Sequence, residues 1–126
     1  MSKSLAAARS LQLSLLRNVE AFSSLDDVVL NQIADTAGYK TVHRGDMLMR
    51  EGDVAATRYI VLKGRFIVLK DEGKIAEISM GEPIGELAFF AGGTRTASVM
   101  AARNSAVMSL TKTAYDNLAE QTPELA

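Results

Sequence analysis

From Tyr39 onward the chain is cut into short β-type runs by turns built on glycine and charge, and that rhythm restricts the fold more than any other feature. The runs are Tyr39 to His43, Met47 to Met49, Arg58 to Leu62, Phe66 to Leu69, Ile75 to Met80, Ala97 to Ala102 and Ala106 to Leu110. Between them stand Arg44-Gly45-Asp46, Glu51-Gly52-Asp53, Lys63-Gly64-Arg65 and Asp71-Glu72-Gly73. Many short strands at this spacing describe a barrel or a jelly roll. Gly45, Gly52 and Gly64 are read as turn geometry, supporting the fold and not a ligand.

Helical patterns flank the β region. Leu5, Ala8, Leu11, Leu15 and Val19 recur at helical spacing and predict an amphipathic N-terminal helix. Ser24-Leu25-Asp26-Asp27 predicts a second helix start, with the Ser24 side chain accepting from the Asp27 amide. Leu25, Val28, Val29, Ile33 and Ala37 form its apolar face, and Gly38 is the expected left-handed end. Thr113 to Gln121 is the third helical stretch. Pro123 suits the first turn of another helix, and its position three residues before the last suggests a piece of a longer chain.

Composition narrows the function classes. The 126 residues fit one domain with one core, since domains commonly run to about 100 to 150 residues. The expected division is 1–38 for N-terminal helices, 39–111 for the barrel and 112–126 for the start of C-terminal helices. Fourteen Lys and Arg against fifteen Asp and Glu give a formal charge of −1, with no basic stripe for nucleic acid. With no cysteine, thiolate catalysis, disulfides and cysteine-ligated zinc are excluded. The longest apolar run, Leu87 to Ala91, is far short of the roughly 18 residues of a spanning helix. A soluble, cytoplasmic protein is expected. The first nineteen residues, with Lys3, Arg9, Arg17, four serines and no acid, also match a transit peptide, but the amphipathic helix explains them more simply.

The informative segment is Pro83 to Ala97, PIGELAFFAGGTRTA, which interrupts the strand pattern. A short helix at Glu86 to Phe90 would leave its first amides unpaired and ready for an anion. Gly85 would let the backbone approach a ligand closely. Gly92 and Gly93 permit a turn that brings Arg95 back to the same amides, where a guanidinium fork suits phosphate oxygens. Glu86 would repel an anion unless it accepts from a neutral hydroxyl, such as that of a ribose.

Gly85-Glu86-Leu87-Ala88 followed by Arg95-Thr96-Ala97 resembles the phosphate-binding cassette of the cyclic nucleotide-binding domain family. Met49-Arg50-Glu51-Gly52-Asp53 and Tyr59-Ile60-Val61-Leu62-Lys63-Gly64-Arg65 resemble that family's strand and turn sequences upstream, so the likeness runs from about Leu16 to Leu125. It implies a cAMP receptor protein-like sensor: a double-stranded β-helix, or jelly-roll, barrel of about eight strands carrying a cassette helix. By resemblance the ligand site comprises Gly85, Glu86, Leu87, Ala88, Arg95, Thr96 and Ala97. Glu86 would bind the ribose 2′-hydroxyl, Arg95 the exocyclic phosphate oxygens, and the amides of Gly85, Ala88 and Thr96 would complete the cradle. The ligand is cAMP first, with cGMP allowed because the Thr96 hydroxyl could reach a syn guanine. Threonine here also occurs in members that prefer cAMP. Many members add a C-terminal helix that caps the base, and here it could begin only at Pro123.

The resemblance implies a regulatory domain, with no catalytic residue, no metal and no cofactor beyond its nucleotide ligand. Binding would draw the cassette inward and move the helices from near Thr113, signalling to an effector outside these residues. Family relatives feed DNA-binding, kinase, channel, transporter and lipid-hydrolase modules. Neither direct nucleic-acid contact nor a membrane span is expected, and a homodimer is allowed. The blander readings are a Glu86–Arg95 ion pair across a surface turn and a ligand-free interaction module of the same fold. A phosphodiesterase using Glu86 as base lacks a metal cluster, a paired nucleophile and a second carboxylate. His43, the one histidine, has no second ligand for a metal. Phe89 and Phe90 read as core or a helix contact, and Met47, Met49, Met80, Met100 and Met108 as strand residues filling core gaps.

Overall fold

The structure, a computed structural model, describes residues 3–19, 22–71, 73–85 and 92–123. Two helices come first, α1 (Lys3–Arg17) and α2 (Asp27–Thr36). The strands are β1 (Gly38–Val42), β2 (Met47–Met49), β3 (Thr57–Lys63), β4 (Arg65–Lys70), β5 (Gly73–Ser79), β6 (Pro83–Ile84), β7 (Ser98–Ala101) and β8 (Ser105–Thr111). Helix α3 (Lys112–Gln121) follows β8 directly. All strand pairings are antiparallel, in two four-stranded sheets ordered β1-β8-β3-β6 and β2-β7-β4-β5. The seven strands expected from the sequence are present within a residue or two. The eighth, β6, is two residues long and pairs with β3 through Tyr59 and Ile84; it is too short for a side-chain period to reveal.

Strand β3, with β8 beside it, is buried on both faces, which explains its apolar run. Val61 and Val107 point into the barrel with Leu48, Met49, Phe66 and Ile84. Their neighbours Ile60, Leu62, Met108 and Leu110 point out, against Leu16, Phe22, Leu30, Ile33 and Leu118 of the helical layer. Side chains alternate across a strand, so one strand serves two cores. Burying a side chain of this size contributes about 1.5 to 3 kcal/mol.

Local details depart from the expectations in four places. Asp26, not Ser24, caps α2, its carboxylate accepting from the Val29 amide at 3.0 Å. Residues 22–25 form a turn, with the Leu25 amide on the Phe22 carbonyl, so the helix starts two residues later. Helix α2 ends without a left-handed glycine: Ala37 is extended, with φ −72° and ψ 150°. Gly38 opens β1 instead, where a Cβ would stand 2.7 Å from the Ser109 hydroxyl on β8. The buried face of α1 carries Leu16 and continues to Val19 beyond its end, while Leu11 is 62% exposed and Val28 of α2 is 67% exposed. Leucines occupy adjacent stripes of α1, so periodicity alone leaves its rotation open. In the fold Leu16 packs inward, and Arg9, which donates to Asn31 at 2.9 Å and pairs with Asp35, and Arg17, which pairs with Asp27, tie α1 to α2 at the surface.

Met49 and Met108 are buried as expected, whereas Met80, in the turn after β5, is largely exposed. His43 falls just past the end of β1, exposed and 3.8 Å from Asp46. Phe89 and Phe90 lie outside the described residues. Among the described residues no helix is long and apolar enough to cross a membrane.

Candidate phosphate-binding site

The site is assembled on the turn between β2 and β3. Asp53 closes that turn on itself: its carboxylate accepts from the Arg50 amide at 2.9 Å and its own amide donates to the Arg50 carbonyl at 3.0 Å. The turn then grips the segment before β7. The Gly52 amide donates to the Arg95 carbonyl at 2.9 Å, the Arg95 amide to the Asp53 carbonyl at 2.8 Å, and the Ala55 amide to the Gly93 carbonyl at 3.1 Å. Val54 and Thr94 form an isolated antiparallel bridge between them. The Glu51 amide donates to the Ser98 hydroxyl at 3.0 Å. The backbone of Arg95 is thereby fixed on both sides.

From that fixed backbone the Arg95 side chain turns inward and is only 4% exposed. One terminal nitrogen donates to the Gly85 carbonyl at 2.7 Å, and the other donates to the Thr57 carbonyl at the start of β3. Gly85 has φ +66°, and a Cβ built there would lie 2.3 Å from the Arg95 Nη1. The expectation for Gly85 was close approach to a ligand. In the structure the arginine itself occupies the room that the missing side chain leaves.

Burial pushes the guanidinium's pKa down, and the nearby Tyr59 and Asp53 oppose the shift. An arginine stays protonated regardless, so a full positive charge sits in a largely dry position. Among the described residues no carboxylate lies within ion-pair distance of it. Two of its five N–H donors are committed to carbonyls, and the others suit the oxygens of an anion.

Of the seven candidate ligand residues, Gly85 and Arg95 meet in space. Thr96 is exposed and Ala97 half-buried, both on the segment leading into β7. Glu86, Leu87 and Ala88 lie outside the described residues, as does the expected cassette helix at 86–90. Thr57 and the turn at 52–55 were not among the candidates. Their part is played by backbone groups, which carry no side-chain signature; the only sequence trace is the Gly52-Asp53 turn. A cleft of about 520 Å³ lies apart from the site between α2 and α3, and one of about 400 Å³ between β1 and β2 borders the site's turn at Arg50 and Asp53.

In this two-sheet jelly roll the inter-strand loops clamp a buried arginine beside a glycine turn, an arrangement that presents positive charge to a small anion. The family model for the cyclic nucleotide-binding domain matches residues 39–122, about two thirds of the sequence, and the chain belongs to that family. It is 35% identical over 111 residues to an uncharacterized NTE family protein of Mycobacterium tuberculosis, covering 87% of this chain and 19% of that one. It is 30% identical over 104 residues to the cAMP-dependent protein kinase regulatory subunit of Candida albicans, covering 82% of this chain and 23% of that one. The chain thus spans under a quarter of the length of either relative. Among solved structures, the regulatory domain of Toxoplasma gondii PKA with cAMP superposes with a TM-score of 0.82 at 23% identity, over 95% of this chain and 48% of that one. That likeness is one of fold.

Proposed function

We propose that this chain is a regulatory domain that binds a cyclic nucleotide, cAMP in preference to cGMP, and passes binding on to an effector by a change of conformation. The observation that carries the reading is the buried, positively charged Arg95 aimed at the Gly85 turn with no carboxylate partner among the described residues. A cation taken out of water is stabilised by an anion of matching geometry, and a cyclic phosphate offers two exocyclic oxygens to a guanidinium fork. Membership of the cyclic nucleotide-binding family supports the choice of ligand, and the likeness to the cAMP-dependent kinase regulatory subunit of Candida supports cAMP first. In this reading Glu86 takes the ribose 2′-hydroxyl, and the backbone from Gly85 to Ala88 with Thr96 and Ala97 completes the cradle. Residues 1–126 work as one unit, in which 39–111 binds and the helices from 112 onward respond. The domain itself performs no chemistry; the effector is a further domain or protein.

Calorimetric titration with cAMP and cGMP tests this. Saturable binding without turnover is expected, tighter for cAMP, and Arg95→Ala should weaken it by about 2 to 5 kcal/mol, roughly 30-fold to several thousand-fold. Absence of heat or of thermal stabilisation with either nucleotide would leave an interaction module of the same fold. Release of a linear nucleotide would mean an enzyme.

A further inference from the structure

Strand β3 presents Arg58, Ile60 and Leu62 to the helical layer, and at the first of these positions an apolar residue would be expected. Arg58 is nevertheless only 5% exposed. Arginine is almost never buried to this degree unless its charge is held. Its guanidinium carbon sits 5.5 Å from the centroid of the Tyr115 ring, within cation–π range, and Tyr115 is a buried residue of α3.

The position in the chain gives this contact its meaning. The peptide bond is planar, so the Thr57 carbonyl that receives Arg95 shares one rigid plate with the amide and Cα of Arg58. The preceding plate, between Ala56 and Thr57, is held from the same helix: the Lys112 amide, at the first residue of α3, donates to the Ala56 carbonyl at 3.1 Å. Thr57 also pairs across the sheet with Thr111, the residue that caps α3 through the Ala114 amide. Helix α3 therefore grips both peptide plates flanking Thr57, and Arg95 hangs from one of them.

We infer that Arg58, anchored on Tyr115, is a positioning residue for Arg95: it fixes the Thr57 carbonyl and so couples the docking of α3 to the affinity of the anion site. The inference rests on the cyclic-nucleotide reading above and deepens it by naming how the site and the responding helix communicate. Coupling of this kind is reciprocal, so an occupied site also strengthens the hold on α3.

The test is titration of the whole chain with cAMP for wild type, Arg58→Met, Arg58→Lys, Tyr115→Leu and the Arg58→Met/Tyr115→Leu double variant, with a thermal melt of each. Methionine keeps the apolar stem and removes the charge. Loss of a contact worth about 0.5 to 2 kcal/mol weakens binding roughly 2-fold to 30-fold in either single variant. The double variant should lose no more than the larger single loss, and lysine should restore most of the affinity. Hydrogen exchange should show α3 protected by cAMP in wild type and not in Arg58→Met. Unchanged affinity in Arg58→Met and Tyr115→Leu, with lowered melting temperatures only, would overturn the inference and leave the nucleotide reading standing. Additive losses in the double variant would overturn it as well. If wild type bound no cyclic nucleotide, both would fall.

Discussion

Gly85 and Arg95 are ten residues apart in sequence and in contact in space, and the contact depends on the absence of a single Cβ. Gly85→Ala should therefore act on ligand affinity through the arginine. The left-handed φ of +66° itself penalises alanine by about 1 to 2 kcal/mol, and the new methyl would displace Nη1 from the Gly85 carbonyl. A hydrogen bond to a charged group is worth about 1.5 to 3 kcal/mol, so binding of cAMP should weaken by roughly 10-fold to 100-fold. Calorimetry on the folded variant checks this, and an affinity equal to that of wild type would mean that the guanidinium does not need its present seat. The residue types at this site were legible in the sequence, because glycine at a turn and arginine after a glycine pair have few uses. Arg95's acceptors were not, since a carbonyl is common to every residue and only the fold chooses which one faces the arginine.

At the scale of elements, the helix starts separate what neighbours in sequence decide from what the chain path decides. Ser24 and Asp26 are both good capping residues, and the local pattern favoured the first. The turn at residues 22–25 places Phe22 in the helical core and delays the helix, leaving Asp26 extended at φ −78° and ψ 171°, the conformation a cap requires. Asp26→Ala should lower stability by about 0.5 to 2 kcal/mol, while Ser24→Ala, at an exposed position, should stay within about 0.5 kcal/mol of wild type. Urea unfolding followed by circular dichroism measures both. A larger loss at Ser24 would reverse the assignment. The strands were easier to read than the helix ends, because an alternating or continuously apolar run identifies a strand wherever it pairs. Strand β6 escaped for the opposite reason: two residues cannot alternate, and Pro83–Ile84 becomes a strand only through its partners on β3.

For the molecule as a whole, the sheet β1-β8-β3-β6 is the shared wall of two cores. Ile60 and Val61 are adjacent on β3 and almost fully buried on opposite sides, so neither core can loosen without exposing the other face of the same strand. Leu30→Ala in the helical layer should cost about 2 to 5 kcal/mol and Phe66→Ala in the barrel about 3 to 5 kcal/mol. Each should shift one cooperative transition, seen alike by far-ultraviolet circular dichroism and tyrosine fluorescence. Two separated transitions would show that the helices fold as an independent unit. The sequence by itself determined the class of this protein: strand periodicity, glycine turns and the order of Gly85, Glu86, Arg95 and Thr96 are local properties that survive without coordinates. Tertiary structure alone decided which leucines of α1 are buried, which residue caps α2, that Thr57 receives Arg95, and that Arg58 rests on Tyr115. Each of these joins groups that are distant in the chain or chosen by its path, and their energies depend on distance and exclusion of water, which the fold alone sets.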